Sequence, residues 1–123
     1  MQRARQPNEL ASAEDCVFYR SGNGNEPVRD WLLELEEQNR REVGLDLMRV
    51  QFAWPIGMPL VRPLGDGLFE VRTNLPDKTT ARVLFRFHDG ELFALHAFIK
   101  KTGATPADDL KLARKRKTEM ERG

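Results

Sequence analysis

The chain is poor in the side chains that most often announce a chemistry. Its 123 residues include one cysteine, one tyrosine and two histidines. A lone Cys16 excludes an intrachain disulfide and fits a reducing compartment. No histidine is placed to activate it, so it reads as a packing residue. His88 and His96 stand eight positions apart with no third ligand beside them, and no metal site is expected. There is no signal-peptide core and no apolar run of membrane length, which leads us to expect a cytoplasmic protein without membrane contact. Gly22-Asn23-Gly24 and Gly65-Asp66-Gly67 are too short to suggest a phosphate-cradling loop ahead of a helix, and no GxSxG motif is present. An enzyme built on this chain is therefore expected to work without a metal, a cofactor or a covalent intermediate.

Excess charge is also lacking: the formal net charge is +1. That total hides a division. Glu26 to Asp46 carries seven acids and three bases, whereas Lys100 to Gly123 carries eight bases and four acids. Apolar residues make up 40% of the chain and fall in periodic runs, so a folded core is expected despite a charged fraction of 32%. The length fits one domain. We place it at residues 15–123, after a polar, mobile segment 1–14 whose Gln2, Arg3 and Arg5 could touch RNA.

Local signals order the elements. Cys16 to Arg20 reads as a strand, ended by the turn residues 21–25. Pro27 suits the first position of a helix whose Val28, Trp31, Leu32 and Leu35 form a buried stripe. A second helix is expected from Asn39, as cap with Glu42, to Ala53, with Val43, Leu47 and Val50 inward and Leu45, Met48 and Phe52 widening the stripe. After an extended connection around Gly57-Met58-Pro59, three strands are expected at 68–73, 82–88 and 92–99. Asp89-Gly90 makes a tight turn between the last two. Thr105 as cap and Pro106 at the first position start a final helix reaching about Met120. The order strand, helix, helix, three strands, helix describes an α+β domain: an antiparallel sheet with the helical pair on one face.

Period-two alternation sorts the strand side chains by face. Phe69, Val71, Val83, Phe85 and Phe87 fall on the core side, with Phe93, Leu95, Ala97 and Ile99 of the last strand. Glu70, Arg72, Arg82, Arg86, His96 and Lys100 fall on the other, along with Leu84, Leu92, Ala94 and Phe98, and Lys101 lies at the strand end. A bulge would reverse part of the last strand, since both of its faces hold apolar residues. Arg offers a planar fork to phosphate oxygens and Lys a point charge, so this face suits an anion. The same set also fits a solvated sheet face, with Glu70 neutralising a cross-strand Arg.

The segments Pro27 to Leu32, Gly57 to Leu64, Gly67 to Arg72, Arg82 to Phe85, and Leu95 to Thr102 with Thr105-Pro106 together resemble the RelE/ParE toxin superfamily, closest to its HigB-like, phage-derived branch. The resemblance spans about Val17 to Arg116. It implies a β-α-α-β-β-β-α fold and the toxin of a type II toxin–antitoxin system: an endoribonuclease that cleaves mRNA on the ribosome. It further implies a helix-turn-helix antitoxin as partner, with operator DNA bound only through that antitoxin. The residues it implies at the catalytic site are Arg72, Arg82, Lys100, Lys101 and His96. Arg62 and Arg86 are candidate RNA contacts; Lys111, Arg114 and Lys115 of the basic C-terminal helix read either as contacts to ribosomal RNA or as charges that suit a helix C-terminus. Such an enzyme needs a base for the 2′-OH, an acid for the leaving 5′-oxygen, and cations for the charged transition state. A lysine base requires neighbouring positive charge to bring its pKa down. The superfamily's aromatic late in the chain is represented here by nothing beyond Phe98, the only tyrosine being Tyr19. Two other readings keep the fold: a non-catalytic DNA gyrase inhibitor of ParE type, and an inactive nucleic-acid-binding remnant.

Overall fold

A computed structural model describes residues 16–101 and 104–122. The N-terminal segment expected to be mobile lies outside the described residues. The elements run β1 (Val17–Phe18), α1 (Pro27–Glu34), α2 (Glu37–Ala53), β2 (Val61–Gly65), β3 (Leu68–Asn74), β4 (Thr80–His88), β5 (Glu91–Lys100) and α3 (Ala107–Arg122). The strands form one sheet in the order β1-β5-β4-β3-β2. The expected α+β architecture is present, with two differences. β2 is an additional edge strand, antiparallel to β3. β1 runs parallel to β5, so the sheet is mixed rather than wholly antiparallel.

Turn chemistry sets the register. Asp89 (φ 51°) and Gly90 (φ 78°) both occupy the left-handed region, which the two-residue turn between His88 and Glu91 requires. From there β4 and β5 pair down to Thr80 and Lys100, with one irregularity at Leu84/Phe85. Opposite it, β5 carries Leu95 as an extra residue.

The sheet is covered on both faces. On one, α1 and α2 bury Val28, Leu32, Val43, Leu47 and Val50 against Val61, Val71, Val83, Phe85, Leu92, Ala94 and Ala97. Trp54 closes the end of this core, stacked on Phe87 at 4.8 Å and edge-on to Phe69. On the other face, α3 lies over Tyr19, Leu68, Leu84 and Leu95, touching down at the buried Ala113. The bulge corrects the expected faces of the last strand. Leu92 and Ala94 belong to the α1/α2 core, and Leu95 to the α3 core. Phe52, expected inside, is 51% exposed. Glu37, ahead of Asn39, opens α2, and its N-cap position is filled by Glu36 without a side-chain bond.

Candidate anion-binding site beneath the C-terminal helix

Three neighbouring strands each bring an arginine to the α3 side of the sheet. Arg72 and Arg82 are direct cross-strand partners, as are Arg62 and Glu70. Alternation therefore sets Arg62, Arg72 and Arg82 around the Glu70 carboxylate. Arg82 and Glu70 are fully buried, while the Arg72 side chain remains 31% exposed.

The spacing within this group is unusual for buried ions. Glu70 Oε2 lies 3.9 Å from Arg82 Nη1, and Glu70 Oε1 lies 3.9 Å from Arg72 Nε. Both distances exceed hydrogen-bonding range. Among the described residues, Nε, Nη1 and Nη2 of Arg82 and Oε1 of Glu70 are buried without a hydrogen-bond partner. The short bond of this carboxylate comes from Thr105, whose hydroxyl donates to Oε2 at 2.6 Å. Burial pulls the Arg82 pKa below the ordinary guanidinium value; Glu70 pushes it back up, and Arg72 and Arg62 lower it further. Three cations and one anion leave the group net positive, with unsatisfied N–H donors at its centre. That is the electrostatic description of a receptor for an oxyanion.

α3 covers the adjoining part of the face through polar ties as well as apolar contact. His96 Nε2 lies 2.6 Å from Asp109 Oδ1, and its Nδ1 lies 3.4 Å from Arg116 Nη1. Arg86 pairs with Glu121 at 3.5 Å. Arg116 donates to the Leu95 carbonyl at 2.9 Å and stands over the Tyr19 ring, whose hydroxyl donates to Glu119. Arg114 donates to the Leu64 carbonyl at 2.7 Å and lies 3.6 Å from Asp66. Loss of water lowers the Arg116 pKa, while Tyr19 and Glu119 raise it.

All six side chains expected on the cationic face lie on it. That face is not open as the sequence suggested, because α3 closes over most of it. Arg62, Arg72 and Arg82 form one group. Lys100 pairs with Thr80, two residues from Arg82 along β4, and shares its face at half-buried depth. Lys101 is exposed beyond the strand end. It helps lower the Asp77 carboxyl, after the larger effect of hydrogen bonds from Thr79. His96, Arg86 and Arg114 are engaged by partners within the chain. Lys111 and Lys115 are exposed, one turn apart on α3. A depression of about 460 Å³ beside α2 is lined by Arg72, Asn74, Asp46 and Arg49 among others.

Two further residues enter the site, one with a role other than the expected one and one on its expected face. Thr105 was expected to cap α3; its hydroxyl instead serves Glu70, and the Leu110 N–H is taken by the Pro106 carbonyl. Phe98 is the direct cross-strand partner of Arg82, with its ring 5.7 Å from that of His96. Alternation marks the face of Phe98, but no local signal links Thr105 to a carboxylate thirty-five positions earlier.

Comparison with known families places this geometry in context. The family model described as phage derived protein Gp49-like (DUF891) matches residues 30–118, from α1 to the last turns of α3. No curated protein matches the chain.

Proposed function

The chain belongs to the Gp49-like family of phage-derived proteins, within the RelE/HigB-like toxins, and on that premise we propose that it is the toxin of a type II toxin–antitoxin system acting as a metal-independent endoribonuclease on mRNA at the ribosome. The observation that carries the proposal is the Arg62/Arg72/Arg82 group, at whose centre a buried guanidinium has no hydrogen-bond acceptor among the described residues.

In the proposed reaction the RNA 2′-oxygen forms a bond to the adjacent phosphorus while the bond from phosphorus to the 5′-oxygen breaks. The products are a 2′,3′-cyclic phosphate and a 5′-hydroxyl. Arg82 and Arg72 stabilise the added negative charge on the non-bridging oxygens. Lys100 is the proton-transfer group best supported by position, because it shares Arg82's face and both ring nitrogens of His96 are occupied. Phe98 offers an aromatic surface beside Arg82 for a base. Arg82 has no surface open to water in this state, so the phosphodiester meets Arg72 first and the groups over Arg82 part to receive it. Lys111 and Lys115 on the outer side of α3 supply non-specific attraction to ribosomal RNA. A helix-turn-helix antitoxin would bind the toxin and carry the pair to operator DNA.

The test is message integrity on translating ribosomes after addition of the protein. Cleaved messages ending in cyclic phosphate are expected, and Arg82→Ala should lower the cleavage rate by about 10²–10³. Intact messages accompanied by damaged DNA would reject the nuclease in favour of gyrase inhibition.

A further inference from the structure

We propose that the Thr105 hydroxyl is a positioning group that holds the Glu70 carboxylate away from Arg82, so that the Arg82 guanidinium stays free for a phosphate oxygen; this rests on the phosphodiester-binding reading above. An arginine and a glutamate that share a dry compartment ordinarily close to 2.7–2.9 Å, often through two parallel bonds. Here they stop at 3.9 Å. Thr105 occupies Oε2, the oxygen nearest Arg82, at 2.6 Å. Its hydroxyl thus holds the carboxylate at a distance where its charge still acts on Arg82 but the Arg82 donors are not consumed. The contrast with the rest of the face is direct: His96 and Asp109 have closed to 2.6 Å, where no substrate is proposed to bind.

Without the hydroxyl, Oε2 has no short partner, and a side-chain rotation brings Glu70 onto Arg82. The resulting ion pair would satisfy two Arg82 N–H groups and leave fewer for a phosphate. Thr105 therefore acts through Glu70 rather than on RNA. The hydroxyl that serves Glu70 precedes α3, whose first helical acceptor is the Pro106 carbonyl.

The experiment measures binding of a short 2′-O-methyl RNA oligonucleotide, which presents phosphodiesters but cannot undergo attack, by fluorescence anisotropy at fixed salt. The full-length protein is compared with Thr105→Val, Thr105→Ser, Glu70→Gln and the Thr105→Val/Glu70→Gln double variant. Thr105→Val should bind about tenfold more weakly, the value of roughly one charge-assisted hydrogen bond, and Thr105→Ser should stay within about twofold. The double variant should recover to within about threefold of the parent, because a neutral amide competes for Arg82 more weakly than a carboxylate does. The double variant also lacks the original tie between Thr105 and Glu70. Its recovery therefore separates carboxylate collapse from mere loosening of α3. Unchanged binding by Thr105→Val, or a double variant as weak as Thr105→Val, overturns the proposal. The two readings fail separately. Arg82-dependent cleavage with unchanged Thr105→Val binding removes the positioning role alone. The predicted binding series without cleavage removes the nuclease alone.

Discussion

Replacing Arg82 by methionine should make the protein more stable while destroying its proposed activity. Methionine has a similar volume, though a shorter reach, and fills irregular space. The substitution removes three nitrogens that are buried without partners, each costing about 1–3 kcal/mol. Against this, the attraction between Arg82 and Glu70 at 3.9 Å is lost, about 4 kcal/mol at an effective dielectric of 20. Relief of the repulsion from Arg72 and Arg62 offsets part of that loss. Breaking a buried ion pair usually destabilises because it strands the other charge. Here Glu70 keeps the Thr105 hydroxyl and Arg72. The balance favours the variant by about 1–2 kcal/mol, or roughly 4–8 °C in thermal midpoint for a domain of this size. Urea and thermal unfolding followed by circular dichroism, with cleavage measured on the same preparations, provide the check. A variant destabilised by about 1 kcal/mol or more would refute the reasoning, since it would mean that Arg82 is well satisfied in the folded protein.

Two further outcomes follow from the α3 interface. The Glu121 pKa is lowered, first by the hydrogen bond from Lys117 and then by Lys117 and Arg86 as charges. The stabilisation it provides is therefore complete above the ordinary value of 4.5 and is lost as pH falls through the depressed folded value. Glu121→Gln should flatten the parent's loss of stability as pH falls below the ordinary carboxylate value, read from unfolding midpoints; parallel curves would show that the pair contributes nothing. Ala113, fully buried where α3 meets the sheet, has no room for growth, so Ala113→Leu should cost about 1–3 kcal/mol in a denaturant titration. A neutral result would mean that α3 is packed loosely there.

Sequence reasoning located the sheet better than its cover. Alternation in β4 placed Val83 and Phe85 in one core and Arg82 and Arg86 opposite them, because an unbroken strand preserves parity. In β5 the extra residue shifts parity midway, and the assignments of Leu92, Ala94 and Leu95 reversed for that reason. β2 escaped notice because Pro63 and Gly65 suppress the strand signal; Pro63 is tolerated where β2 forms the sheet edge. The placement of α3 over the cationic face was hidden by composition. Its sequence is highly charged, and Ala113 is its one buried residue among those described, so it reads as a solvated helix. What fastens it are pairs such as His96 with Asp109 and Arg86 with Glu121, which no spacing rule brings together. The family motifs drew attention to Arg72 and Arg82, but neither motif nor alternation shows that Arg82 lies out of contact with water.

The additional residue at Leu95 has an architectural effect on the whole strand. It uncouples the phase of β5 near the Asp89-Gly90 turn from its phase near Lys100. The half next to the turn can seat Leu92 and Ala94 under the helical pair, while Leu95 and His96 both turn toward α3 and Phe98 remains opposite Arg82. A strictly alternating strand of this sequence would satisfy one end at the expense of the other. The local irregularity is thus the hinge in sequence space that lets a single strand serve two cores and an ionic centre at once.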